Sequence, residues 1–234
     1  MVEETGIRER RRTEVKAALM SAARIELTRV GAAGLSVRAI AREMDMAPSA
    51  LFRYISGRDE LLTLLIVEAY DDLADHVEAR ETAVPREDLR GRWRAIARSF
   101  REWSVAHPHE YALLYGSPVP DFHADAEDTN RAGQRVTDLL AALGRNAPPS
   151  LAPLALPEQP DLSVFAGASG AEGLDNNLVT RGITAWTALL GAVSAEVFEH
   201  LGPELPYATT VFDATVALGE LLLFGDQRDG SGTR

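Results

Sequence analysis

Residues 36–55, "SVRAIAREMDMAPSALFRYI", hold two helix-sized patterns with a break between them, and their spacing decides how the amino-terminal part of the chain folds. Ser36 offers a hydroxyl N-cap to a run in which Val37, Ile40, Ala41 and Met44 recur at i, i+3, i+4 and i+7, the stripe of a short amphipathic helix. Asp45 follows, a residue that tolerates left-handed backbone, and Pro48 suits the first turn of another helix. There Leu51 and Ile55 lie four apart and face inward, which leaves Ser49, Ala50 and Arg53 pointing elsewhere. Upstream, "LMSAARIELTRVG" (19–31) sets Leu19, Ala23, Leu27 and Val30 on one stripe of a longer helix that Gly31 and Gly34 can end. A long helix, a short helix, a tight turn and a second short helix make a tri-helical helix-turn-helix unit, whose last helix is sized for the major groove of DNA.

The chemistry of that last helix fits the groove. "APSA" (47–50) leads with small side chains, which do not hold a helix away from base edges. Arg53 can reach a phosphate or the O6/N7 edge of guanine, and Ser49 a base or a phosphate. Arg58, beyond the Ser56-Gly57 break, is placed to clamp the DNA backbone beside the amide donors of the next helix. A phosphate contact of that kind would contribute roughly one unit to the salt slope of binding.

Residues 19–65 resemble the DNA-binding domain of the TetR family of transcriptional regulators. The matching features are the Ala22-Ala23 pair and Gly31 in the first helix, "LSVRAIA" (35–41) in the second, Ser49-Ala50-Leu51-Phe52 in the third, and Arg58-Asp59-Glu60-Leu61-Leu62 opening the fourth. The resemblance implies an all-α protein with an N-terminal helix-turn-helix domain and a C-terminal helical bundle for ligand binding and dimerisation. It also implies a homodimer on a pseudo-palindromic DNA operator, with a small-molecule effector and no cofactor. By position the recognition contacts fall on Ala47, Pro48, Ser49, Phe52 and Arg53, with Ser36, Arg38 and Arg58 as phosphate partners. Three residues depart from the usual pattern. Phe52 stands where Tyr is usual and lacks its hydroxyl, which Tyr54 partly replaces; Asp45 stands where Gly is usual, placing a carboxylate near DNA; and Ile55 stands where Phe is common.

The net charge of −11 is unevenly spread. Residues 1–60 carry 11 Lys and Arg against 9 Asp and Glu, net +2, which leaves 13 against 26, net −13, for residues 61–234. This asymmetry sets the expected domains: a DNA-binding head at 1–60 with a basic arm, and a ligand-binding and dimerisation body at 61–234. The arm is "IRERRR" (7–12), read either as a phosphate-following segment or as a solvated, frayed end. The absence of cysteine excludes disulfides, thiolate metal sites and thiol nucleophiles. With no unbroken apolar run of about 18 residues and a charged amino end, the expected location is cytoplasmic, with no membrane partner.

Beyond the head, residues 59–80 read as one long helix and 86–106 as an amphipathic helix carrying Trp93, Ile96, Ala97, Phe100 and Trp103. "HPHEYALLYG" (107–116) starts a short helix, and its His-Pro-x-x-Tyr pattern also resembles the C-terminal domain of many TetR-type regulators. Val136, Leu139, Leu140 and Leu143 mark a helix ending at Gly144. From 145 to 173, prolines 148, 149, 153, 157 and 160 and then "GASGAEG" predict a loop, whose leucines can lid the bundle. Two long helices follow, striped by Ile183, Trp186, Leu190, Val193 and Val197 and by Phe212, Val216, Gly219 and Leu223. They either pair with symmetry mates in a four-helix interface or close the monomer core.

The expected effector pocket is aromatic, drawing on Trp93, Phe100, Trp103, His107, Tyr111, Tyr115 and Trp186. His107, His109 and His123 make a poor metal site, because Pro108 separates the first two and no His pair has i, i+4 spacing. No acid, base or nucleophile spacing demands catalysis. The favoured function is a repressor of the TetR type released by a small, largely apolar ligand. The alternatives are a regulator without effector or acting as activator, and a helical-bundle carrier or enzyme with a vestigial head.

Overall fold

The computed structural model describes residues 2–123, 126–147, 154, 158, 161–202 and 205–226. Among them are ten helices and no strand, the all-α fold that the sequence predicts. They form two compact units. The first, Met1–Asp71 with His107–Ala132, holds α1 (Val2–Gly34), α2 (Val37–Glu43), α3 (Pro48–Leu51), the opening of α4 (Arg58–Thr82), α6 (Pro108–Tyr115) and the opening of α7 (Ala126–Arg145). The second, Asp72–Ala106 with Gly133–Arg234, holds the remainders of α4 and α7 together with α5 (Leu89–Ala106), α8 (Ser163–Ala168), α9 (Asn176–Val197) and α10 (Leu205–Phe224). These units are drawn differently from a division after residue 60. Leu113 on α6, with Val119 and Phe122 behind it, packs on the same core as α1 to α4 and returns that segment to the first unit.

In the first unit Leu19, Leu27, Ile40, Leu51, Leu61 and Leu62 are buried together. Each such side chain stabilises by roughly 1.5–3 kcal/mol when fully withdrawn from water, so the short α2 and α3 are held by packing rather than by their own propensity. Residues 7–12, for which a frayed end was one reading, belong to α1, and Arg10, Arg11 and Arg12 are exposed on it. Gly31 interrupts α1 at φ 67°, ψ 174°, a region open essentially to glycine alone. Val30, expected on the inner stripe, is instead exposed at this kink.

In the second unit the buried stripe of α5 is the expected one: Trp93, Ile96, Ala97, Phe100 and Trp103. On α10, Phe212, Val216 and Leu223 are buried as expected, and Gly219 lets α10 approach Trp93. A β-carbon at 219 would lie 2.3 Å from Trp93 Cζ2, while the indole N–H is fixed by donating to Val216 O at 2.9 Å. Gly219→Ala is expected to destabilise the protein by about 2 kcal/mol through overpacking, despite its better helix propensity. A guanidinium denaturation curve with an unshifted midpoint would count against this packing.

The stripe expected on α9 is rotated. Val193 is buried, but the other buried residues are Val179, Thr180, Arg181, Ala185, Leu189 and Ala192, while Ile183, Trp186, Leu190 and Val197 are half-buried. The loop expected over 145–173 also contains a helix, α8; prolines 148, 149, 153, 157 and 160 lie outside the described residues.

By length and composition α9 and α10 are each apolar enough to cross a membrane, although neither is an unbroken apolar run. Glu196 on α9 and Glu220 on α10 are nevertheless paired within the unit. Arg101 Nε donates to Glu196 at 2.6 Å, and Arg94 donates to Glu220 through two nitrogens. On α10 a row of Tyr207, Val211, Ala214, Leu218 and Leu221 stays exposed at alternating spacings of four and three residues.

Candidate nucleic-acid interface and effector cavity

The helix-turn-helix is built by local caps. Ser36, in extended backbone at φ −132°, accepts a hydrogen bond from Ala39 N–H at 3.4 Å and starts α2. Asp45 takes up left-handed backbone, φ 51°, in the turn to α3, a conformation that glycine adopts with less strain. Pro48 opens α3, as its fixed φ favours. At the next turn Glu60 accepts the Ser56 N–H at the start of α4, and that backbone hydrogen bond holds its carboxyl below the usual range.

The result is a two-sided α3 segment. Leu51 is wholly buried and Ile55 nearly so, whereas Phe52 between them is 52% exposed. Ala47, Pro48, Ser49 and Arg53 are exposed beside Phe52, and Arg38 is exposed on α2. These exposed residues are small, aromatic and cationic. Tyr54 differs, since its ring packs against the core. Ser36 is half-buried, its hydroxyl engaged in capping.

Arg58 is also placed differently from expectation. Its Nε donates to Leu35 O at 3.1 Å, and one terminal nitrogen donates to Ala32 O at 2.9 Å and Ala33 O at 3.1 Å. The guanidinium thus satisfies carbonyls at the end of α1, where cations favour the helix dipole. Arg58→Ala is expected to lower the stability of the first unit by about 2 kcal/mol through loss of these charged hydrogen bonds. If its removal flattened the salt dependence of DNA binding by a full unit and left the melting temperature unchanged, the backbone clamp would be its role instead.

Of the seven residues expected around an effector, the structure places one at a cavity. Trp93, Phe100 and Trp103 are buried in the second unit, where Trp103 Nε1 donates to Asp72 at 2.7 Å and Phe100 stacks edge-on to Trp186 at 5.0 Å. His107, Tyr111 and Tyr115 belong to the first unit. There Tyr115 lies 5.1 Å from Tyr111 and 6.1 Å from Tyr70, and burial pushes its hydroxyl far above the ordinary range. These rings build cores, and the indole N–H groups of Trp93 and Trp103 have the partners that buried indoles require.

A cavity of about 620 Å³, counting the part open to solvent, lies within the second unit between α7, α8, α9 and α10. Its walls include Leu140, Phe165, Val179, Ile183, Trp186 and Phe224, with Arg181 as a charged member. Arg181 is 7% exposed; one terminal nitrogen donates to Leu222 O at 2.6 Å and Nε to Asn177 Oδ1 at 3.2 Å. Sequence reasoning named only Trp186 here. The available signal was Arg181, one of two charges in the 22 residues of α9.

An exposed recognition face on a helix-turn-helix, carried with an all-helical second unit that holds an apolar cavity, defines the class of DNA-binding transcriptional regulators. The family described as "Bacterial regulatory proteins, tetR family" matches residues 19–65, and "Tetracyclin repressor-like, C-terminal domain" matches residues 93–218. The HTH-type transcriptional regulators Rv1816 of Mycobacterium tuberculosis and Mb1846 of Mycobacterium bovis are each 40% identical over 220 residues, covering 91% of this chain and 94% of theirs. The crystal structure of SCO4313 superposes with a TM-score of 0.73 at 26% identity, covering 90% of this chain and 97% of that one. The TetR family regulator PfmR from Thermus thermophilus shares the fold, with a TM-score of 0.54 at 16% identity over 91% of this chain and 96% of that one. The chain belongs to the TetR family and is a helix-turn-helix transcriptional regulator.

Proposed function

We propose that this regulator is a cytoplasmic, non-enzymatic repressor that holds a pseudo-palindromic operator as a homodimer and leaves it when a small, largely apolar molecule occupies the α7–α10 cavity. The observation that carries the DNA reading is the exposure of Phe52, Ser49 and Arg53 above the buried Leu51 and Ile55. An aromatic ring left half in water on a short, otherwise well-anchored helix fits a surface that meets a partner. Ala47, Pro48, Ser49, Phe52 and Arg53 are assigned to base edges and nearby phosphates, with Arg38 as a backbone contact.

The exposed α10 row supports pairing of two chains, because its spacing is that of an apolar helix seam. Release follows if the effector binds one of two conformations more tightly. Helix α7 has residues in both units: Leu140 and Ala141 line the cavity, and residues 126–132 belong to the first unit.

The test is fluorescence anisotropy of the full chain against duplexes tiling the DNA upstream of its own gene, at two salt concentrations and with nonspecific competitor. Competitor-resistant binding to one tile supports the proposal, and that tile then reports ligands that release it. Weak binding to every tile, erased by modest salt, would favour the carrier or enzyme reading with a vestigial head.

A further inference from the structure

We propose that the occupant of the α7–α10 cavity is an amphipathic anion: an apolar body bearing one acidic group that Arg181 receives. This rests on reading the cavity as the effector site, and it adds the chemical class of the effector. Leu140, Val179, Ile183, Trp186, Leu223 and Phe224 give the walls an apolar character that selects a hydrocarbon or aromatic body. Among the described residues that line the cavity, Arg181 is the one charged side chain, and none is Asp or Glu. A cationic ligand therefore finds repulsion here, and a neutral one makes no use of the charge.

The geometry favours recognition of an acid. A guanidinium stays charged at any physiological pH and carries five N–H donors in a rigid fork. Its anchoring on Leu222 O and Asn177 Oδ1 fixes the charge in the wall before a ligand arrives. Hydrogen bonds between ionised partners are about twice as strong as neutral ones, and low-dielectric apolar walls strengthen them further. The Asn177 oxygen also accepts the Leu154 N–H at 3.0 Å, so the cation's anchor is shared with chain ahead of α8.

Two fluorescent probes separate the possibilities. 8-Anilinonaphthalene-1-sulfonate and N-phenyl-1-naphthylamine share an apolar body and differ in the sulfonate. With the full chain, the sulfonate probe is expected to bind at least about tenfold more tightly than the neutral one, a margin in keeping with a charge-assisted hydrogen bond. Arg181→Met should abolish that margin and leave the neutral probe within about twofold of the parent, while Arg181→Lys should keep part of it. The neutral probe also reports whether Arg181→Met remains folded; if it does not, the parent and Arg181→Lys decide. Gly182→Leu locates the binding. Gly182 lines the cavity, a β-carbon there meets no atom within 4 Å, and the added side chain should displace both probes. Equal affinity for the two probes on the parent, or an undiminished sulfonate margin in an Arg181→Met that still binds the neutral probe like the parent, overturns the anion and leaves the cavity standing as a site. Undiminished binding of both probes to Gly182→Leu overturns the cavity reading itself, and the proposal with it.

Discussion

Ser49→Glu is expected to weaken operator binding at least about a hundredfold while leaving the melting temperature within about 1 °C of the parent. Ser49 is exposed at the second position of α3. A carboxylate at that point would face phosphates and the electronegative edges of bases, and like-charge juxtaposition across an interface costs several kcal/mol. A loss of about 3 kcal/mol is a little over a hundredfold in Kd. Ser49→Ala should stay close to the parent in stability and lose affinity only at the base pair that the hydroxyl reads. Anisotropy against the operator and against a scrambled duplex, with a thermal melt of each variant, checks both halves. Tight operator binding by the Glu variant would remove α3 from the groove.

Glu81→Ala is expected to destabilise the protein by about 3–5 kcal/mol, the cost of leaving a buried cation without its counter-charge. Glu81, on the last turn of α4, is 1% exposed and receives Arg92 Nε at 2.5 Å and Arg86 at 3.0 Å. Arg86 is half in water and can turn outward once the carboxylate is gone; the Arg92 side chain, 6% exposed, cannot. For a chain of this length each kcal/mol lowers the melting temperature by about 2–4 °C, so the expected drop is of order 10 °C. Replacing Glu81 and Arg92 together with leucine should recover much of the loss, because the penalty lies in the orphaned charge. Calorimetry of both variants at matched protein concentration would show this. A single variant that melts with the parent would mean that Arg92 finds water on losing Glu81.

The head was legible because every local signal agreed. A hydroxyl cap at Ser36, a left-handed-tolerant Asp45, a helix-opening Pro48 and inward-facing Leu51 and Ile55 all point to one backbone, and each is found in its expected place. Arg58 has two readings, because a guanidinium suits a phosphate and a row of helix-end carbonyls equally well. Only the return of α1 beside it, which no local spacing reveals, distinguishes them. The cavity was illegible for a related reason. Aromatic spacing shows which residues are buried and not what space they leave, so Trp93 and Trp103 read as a pocket although their N–H groups are tied into the core. On α9 the largest apolar groups were expected inward, yet Ile183 and Trp186 are half-buried and border the cavity. Helix α8 has six residues and no side-chain cap, too little for any period to register.

If the exposed row on α10 pairs two chains as proposed, it ties control of the operator to the copy number of the protein. In the proposed homodimer a single chain carries one reading helix and a pair carries two. Where chains are scarcer than the pairing constant, the concentration of pairs rises as the square of the chain concentration, so halving synthesis costs the operator about three quarters of its binders by mass action. The same law makes thermal stability depend on concentration, because unfolded chains cannot pair. A charge placed at Leu218, in the middle of that row, would therefore act on gene control without touching DNA or effector, by changing how many chains it takes to make one repressor.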